Sequence, residues 1–387
     1  MAANASGISP PRRPRARRWF TAVLAATLGL LVACASFVWW VDPFQQYHLA
    51  SRYPPRFYFL HHRYINPGLA KNQVYDTVVS GSSIMESTPN DVVAKACGGT
   101  AVNLSMPAMS ASEQRLMLET ALASRPVKRV ISVFDFNAFA GGVEERYDVA
   151  GPLPRYLYDR NPFNDLPYLL SWDVLAKSLR IVAHDTSEKF TSDPNAAWFW
   201  GNVKRFGRDE VLRGLDLAHL NTRYQQPQRT LEGMRASFEH NLLPLFAAHP
   251  QTEFDLVWPP YSILVWLDFA QRDQLEVTLA FKRYVFEATR RLPNVTVTDL
   301  QSEREITHNL DRYTDLYHFD PDINRRVVAA ACSLRERVDE KRLDELERQL
   351  REQVAAAQTP AGLAGIVAPS EGDAKPPTPA APLPPRK

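Results

Sequence analysis

No glycine-rich phosphate loop, no set of His, Cys, Asp or Glu at metal-ligand spacing and no basic patch suited to nucleic acid can be found in this chain. No cofactor and no nucleic-acid partner is therefore expected. Net charge is equally scarce: 45 basic against 43 acidic residues leave +2 over 387 positions, which points to neither nucleic acid nor an acidic partner. His61-His62 lacks a further ligand and His184-Asp185 lacks a partner motif, so both read as surface or packing residues. Cysteine is limited to Cys34, Cys97 and Cys332. Neither Cys97 nor Cys332 stands beside a plausible base, which argues against a catalytic thiol. In an oxidising compartment the two can bridge, provided their helices pack on one face of a sheet; in a reducing one they stay buried thiols. Internal repeats are absent as well.

What is present begins with a strongly asymmetric N-terminus. Arg12, Arg13, Arg15, Arg17 and Arg18 precede an uncharged apolar run from Trp19 to Val41. A bilayer core needs about 20 such residues, and Arg on one flank holds that flank in the cytoplasm. The expected order is a basic tail over 1–18, a membrane anchor over 19–41 and everything after Asp42 outside a bacterial inner membrane, in the periplasm. Phe37, Trp39 and Trp40 suit an interfacial aromatic belt. A cleavable signal peptide has a shorter apolar region. Leu31-Val32-Ala33-Cys34 resembles a lipobox, which makes a lipoprotein lipidated at Cys34 the alternative.

Past the anchor, residues 42–70 read as an irregular connection interrupted by Pro54-Pro55 and Asn66-Pro67-Gly68. Regular alternation follows. Strands are expected over 74–80, 101–105, 128–136, 253–258 and 295–300, and helices over 90–97, 112–124, 230–247 and 271–291. Leu116, Leu118 and Leu122 should face inward on the second helix. This spacing indicates βαβ units and an α/β fold with a doubly wound parallel sheet of about five strands in three layers. The alternation pauses over 140–228, an insertion with helical patterns at 166–182 and 209–217 and the aromatic Trp198-Phe199-Trp200-Gly201. It reads either as a lid or substrate platform, or as packing at the sheet edge. After Pro321 a long helix is expected, its last part over 336–357 an amphipathic extension with Leu343, Leu346, Leu350 and Val354 on one thin stripe, which suits an exposed, solvated helix or a short coiled-coil contact. The Pro/Ala-rich tail over 358–387 should be disordered.

Two short segments carry the chemistry. Gly81-Ser82-Ser83 follows the first strand, and Asp315-Leu316-Tyr317-His318 lies 235 residues later. A serine at a strand end, answered by an Asp and a His three apart, supplies nucleophile, base and orienter for ester chemistry. An α/β-hydrolase would need Gly-x-Ser-x-Gly here and lacks it. In the competing structural reading, Ser82 and Ser83 cap the next helix and Asp315 and His318 bond loop backbone. Tyr261, after Pro259-Pro260, lines the cleft or packs in the core.

Together with Asn103 near the second strand and Asp135-Phe136-Asn137 at the end of the third, these blocks resemble the SGNH/GDSL hydrolase superfamily. The likeness is to its membrane-anchored extracytoplasmic branch, which includes proteins that O-acetylate or D-alanylate envelope polymers, and it covers about residues 74–335 outside the insertion. It implies a flavodoxin-like sheet with Ser83 as nucleophile, His318 as general base and Asp315 as its orienter. Ser82 takes the place of the family's Asp, and Gly81 opens the block. The oxyanion donors implied are the Ser83 N–H, Asn137 and, second to it, Asn103. The chain departs from the pattern where it has no Gly after the second strand and Asp135-Phe136-Asn137-Ala138 in place of Gly-x-Asn-Asp. The expectation is a serine esterase or O-acyltransferase on an envelope glycan, with a membrane acyl-donor partner. The alternative is a non-catalytic scaffold of an envelope-assembly complex.

Overall fold

The computed structural model describes residues 13–146, 152–196, 204–213, 215 and 229–368. Five short runs form its main sheet: β1 (Thr77–Ser80), β2 (Ala101–Asn103), β3 (Arg129–Val133), β4 (Glu253–Trp258) and β5 (Val295–Asp299). They lie in the order β2-β1-β3-β4-β5, and every pairing is parallel. Val78, Val79, Val130, Ile131, Leu256 and Val257 are fully buried. Such runs without polar alternation are what a strand covered on both faces requires. From β1 the chain turns to β2 on one side and then returns past β1 to β3. Ligands of open parallel sheets bind beyond the strand C-termini where the order reverses in this way.

The third strand stops at Val133, earlier than its composition suggests. The Asp135 carboxylate accepts the Asn137 N–H at 3.0 Å and starts the single turn Phe136–Phe139, which takes the chain out of the sheet. Phe136 fixes that turn from below, stacked on Trp258 at 4.8 Å and edge-on to Tyr261, Trp266 and Phe269. A fully buried Phe contributes roughly 2–3 kcal/mol by area alone.

Several helices depart from the sequence reading. Residues 42–70 are not irregular throughout, because the helix His62–Asn72 runs straight through Pro67. Proline there leaves the Arg63 carbonyl without its helical donor; the Tyr158 hydroxyl donates to it instead at 3.1 Å. Gly68 is required by its neighbours, since a Cβ would stand 2.4 Å from the Gln45 carbonyl oxygen and 2.6 Å from that of Phe44. The expected 230–247 helix breaks at Leu242, before Pro244, into Leu231–Asn241 and Leu243–Ala248. Ahead of the helix Leu275–Thr289 lies Ile263–Gln271, which is apolar on nearly every side and so shows no amphipathic period. On Ala111–Ser124, closed by a capping box between Ser110 and Glu113, Leu118 is buried but Leu116 and Leu122 only half so.

The C-terminal elements also differ. The helix after Pro321 ends at Ala331, and a separate one, Glu340–Ala357, starts on Asp339 as its cap. Leu343, Leu346, Leu350 and Val354 are buried, and the helix packs on Ile263–Gln271 rather than standing in solvent. Arg283 pairs with Glu347 at 2.9 Å and Arg351 with Glu276 at 2.9 Å along its rim. The expected disorder from 358 is overturned for Pro360–Val367, which is helical with Thr359 as cap; the positions after 368 lie outside the described residues. Asn90–Cys97 and Pro321–Ala331 do pack together, and Cys97 and Cys332 at their ends form a disulfide with Cα atoms 5.3 Å apart.

The N-terminal helix spans Arg13–Val41 and is long and apolar enough to cross a membrane. It starts earlier than the uncharged run and takes in Arg15, Arg17 and Arg18. In the insertion, Leu166–Leu169 and Trp172–Val182 pack against this helix, a contact that neither sequence reading of the insertion anticipated. Phe190–Thr191 pairs antiparallel with Phe57–Tyr58. Arg208–Leu212 is the described part of the expected 209–217 helix, whereas Trp198-Phe199-Trp200-Gly201 lies outside the described residues.

Candidate active site

At the C-terminal end of β1 the chain makes one abrupt change of direction. Gly81 passes close beneath β3, where a Cβ would touch Val133 Cβ and its carbonyl oxygen at 3.2 Å. Ser82 is extended, and Ser83 opens the single helical turn Ser83–Glu86. Three ties hold that turn. Glu86 meets His62 at 2.8 Å with both side chains buried, Asn324 donates to the Ile84 carbonyl at 3.1 Å, and Asn103 donates to the Met85 carbonyl at 2.7 Å.

The opposing loop is equally constrained. Tyr313 and Phe319 form an antiparallel bridge, and the Thr314 N–H donates to the His318 carbonyl at 2.9 Å. The Tyr313 hydroxyl donates to the Pro260 carbonyl at 2.9 Å, and the Ser262 hydroxyl to that of Leu316 at 2.8 Å. At the loop's end Asp320 accepts from Arg312 at 2.8 Å and caps Pro321–Ala331.

Between these two rigid edges a relay forms. Ser83 Oγ lies 2.8 Å from His318 Nε2, and His318 Nδ1 lies 2.7 Å from Asp315 Oδ2 and 2.9 Å from Oδ1. Asp315 Oδ1 also accepts the backbone N–H groups of Tyr317 and His318, each at 2.9 Å. Burial pushes the Asp315 pKa up, but the His318 charge and these hydrogen bonds outweigh it and hold the carboxyl down to about 2. An ionised carboxylate on Nδ1 assigns the proton to that nitrogen and leaves Nε2 to accept from the Ser83 hydroxyl. Compared with protein-family models and with curated proteins, the chain matches none.

The remaining residues singled out in the sequence divide. Ser82 is not a helix cap: its hydroxyl donates to Asp135 Oδ2 at 3.0 Å, and no capping bond forms. Tyr261 does not line a cleft. It is fully buried, donates to Asp135 Oδ1 at 3.1 Å and packs edge-on to Tyr317 at 5.2 Å. Burial and the Asp135 charge drive its pKa upward, so the hydroxyl remains a donor. Asn103 is spent on structure, with its amide nitrogen also reaching the Glu86 and Thr88 carbonyls and its oxygen accepting the Ser105 N–H at 3.0 Å. Asn137 is half-buried, with Oδ1 accepting from Arg229 Nη1 at 3.0 Å.

Two neighbours were not picked out as site residues. Asp135 gathers Ser82, Tyr261 and the Asn137 N–H around one carboxylate. Its place in the strand-end triplet was the available signal. Arg229 is 3 % exposed, stacks on Phe269 at 4.1 Å and binds Gln274 through its backbone. Burial lowers its pKa, against the pull of Tyr317 and Asp135. Lying beyond the insertion with no motif around it, it gave no signal.

Proposed function

We propose that this chain is a membrane-tethered, extracytoplasmic serine esterase or O-acyltransferase of SGNH type, acting on esters of a cell-envelope glycan. The observation that carries the reading is the relay from Ser83 through His318 to Asp315, with contacts of 2.8 and 2.7 Å, at the end of β1. The strand order β2-β1-β3-β4-β5 is that of flavodoxin-like doubly wound sheets, which supports the three-layer arrangement. Arg15, Arg17 and Arg18 on one flank of the apolar helix support a cytoplasmic N-terminus, and the Cys97–Cys332 disulfide supports an oxidising compartment for the domain.

In this reading Ser83 Oγ attacks the ester carbonyl carbon while its proton passes to His318 Nε2. Asp315 stabilises the imidazolium without taking the proton. The carbonyl oxygen becomes an oxyanion facing the Ser83 N–H, at the start of its helical turn, and the Asn137 amide, whose donating end is set by Arg229 holding Oδ1. Collapse breaks the bond to the leaving alcohol, which receives the proton from His318. Water or a sugar hydroxyl then attacks the acyl-serine with His318 again as base. Water makes the protein an esterase; a glycan hydroxyl, with an acyl donor supplied at the membrane, makes it a transferase.

The test uses the full chain in detergent with a chromogenic acetyl ester and a serine-directed fluorophosphonate. Wild type should turn over and be labelled, whereas Ser83→Ala and His318→Ala should lose about a thousand-fold or more in turnover. Labelling and turnover that survive Ser83→Ala would remove the proposal. A folded wild-type chain inert in both assays favours the scaffold reading.

A further inference from the structure

The described residues expose few large aliphatic or aromatic side chains outside the N-terminal helix, and these cluster. Six belong to one stretch of the insertion: Phe163, Leu166, Leu170, Trp172, Leu179 and Val182, with exposures from 41 % to 89 %. On Trp172–Val182 the exposed Trp172, Leu179 and Val182 stand at i, i+7 and i+10, with half-buried Leu175 at i+3. The opposite face, Val174, Lys177, Ser178 and Ile181, is buried in the domain. The helix is thus apolar toward the protein and apolar again toward the outside. Leu49, Phe59 and Leu60 are exposed in the connection that follows the N-terminal helix. Val74 alone of the group lies in neither segment.

Where this patch sits follows from the helix it touches. Leu166–Leu169 and Trp172–Val182 pack against the N-terminal helix. That helix is exposed from Arg15 to Ala33, half-buried at Cys34, Ala35 and Phe37, and fully buried at Val38 and Val41. The domain therefore packs against one face of its last two turns, about 10 Å of its length, and leaves Ser36, Trp39 and Trp40 exposed on the other. The uncharged run Trp19–Val41 is only about 34 Å long as a helix, against about 30 Å of hydrocarbon. It cannot surrender two turns to water and still cross. Whatever packs against Cys34 to Val41 is consequently at the depth of lipid.

We infer that the 163–182 segment is a second, non-spanning membrane element, which lays its outward apolar side chains into the outer leaflet beside the span. Its occupant is phospholipid: the acyl region takes the Trp172, Leu179 and Val182 stripe, and the headgroups surround Asp173 and Arg180 between them. The inference goes beyond the esterase reading and is independent of Ser83 chemistry; it rests on the N-terminal helix being an uncleaved span.

Site-directed spin labels on the full chain test it, in a Cys34→Ala background, reconstituted into bilayers of mixed zwitterionic and anionic phospholipid. The labelled sites are Phe163→Cys, Trp172→Cys and Leu179→Cys, all exposed, with Leu28→Cys in the proposed span and the exposed Arg348→Cys on Glu340–Ala357 as references. Relaxation by oxygen relative to a water-soluble nickel chelate should be about five-fold or more above Arg348→Cys and approach Leu28→Cys, as for side chains roughly 5–10 Å below the headgroups. Labels at the three sites that respond to nickel as Arg348→Cys does would overturn the inference. So would labels shielded from both reagents, which indicates a second copy over the patch. An intact mass of the protein with Cys34 in place that lacks residues 1–33 removes the span and this inference together, whereas a full-length mass of that protein with water-exposed labels removes the inference alone.

Discussion

Asp315→Asn is the substitution that most directly tests the relay. The carboxylate accepts three N–H groups: His318 Nδ1–H at 2.7 Å and the backbone N–H groups of Tyr317 and His318 at 2.9 Å. Asparagine keeps one oxygen, and the two backbone donors claim it. The amide NH2 then faces His318 Nδ1, so that nitrogen must present its lone pair and the ring proton moves to Nε2. There it points at the Ser83 hydroxyl, a donor against a donor, and the base can no longer accept. A wrong tautomer of this kind costs about 10⁴ in rate in serine hydrolases, or about 5 kcal/mol of transition-state stabilisation. The assay is acetyl-ester turnover by the full chain at pH 7, with circular dichroism and an intact Cys97–Cys332 bond as controls for fold. Because Asp315 is held down to about 2, the wild-type pH profile should show no step from that carboxylate above pH 4. A folded Asp315→Asn protein within ten-fold of wild type would refute the role given to the carboxylate.

The two remaining predictions concern stability. Cys97 and Cys332 are 235 residues apart, so in the loop-closure account their bond contributes about 5 kcal/mol. Replacing both by Ser should lower the melting temperature of the full chain by roughly 6 °C, and a shift below 2 °C would contradict that account. Burial, and then Arg304, pull the His308 pKa from 6.5 down to about 4. The unfolded chain therefore binds the extra proton first on acidification, and stability is lost as pH falls from 6.5 toward 4. His308→Gln should flatten that part of the melting-temperature profile, and an unchanged slope would count against the half-buried neutral imidazole.

The sheet was legible because β1, β3 and β4 are covered on both faces and so carry runs of Val, Ile and Leu that no helix period explains. Elements set by a distant partner were not. The helix through Pro67 depends on the Tyr158 hydroxyl, 91 residues away, which no local propensity encodes. Ile263–Gln271 is hidden by being apolar all round. The burial of Leu343 to Val354 depends on that hidden helix, which is why the stripe looked solvated. Within the site, Ser83, Asp315 and His318 could be paired because their chemistry is specific and one loop carries two of them. Asn103 could not be assigned from its position, since its amide faces the Met85, Glu86 and Thr88 carbonyls. Arg229 reaches Asn137 only through the fold.

The seat of Gly68 on the Phe44 and Gln45 carbonyls has a consequence for reach. Asn72 donates to that same Gln45 carbonyl at 2.8 Å, and Asp42 accepts the N–H groups of Gln46, Tyr47 and His48 and the Tyr168 hydroxyl. A domain on a loose tether sweeps a hemisphere; this one stands on a fixed post. Under the proposal of a membrane-spanning anchor, the Ser83 hydroxyl is carried at a constant altitude and only lateral drift of the whole molecule brings it new material. A substrate of the proposed esterase or transferase then has to be delivered to that height.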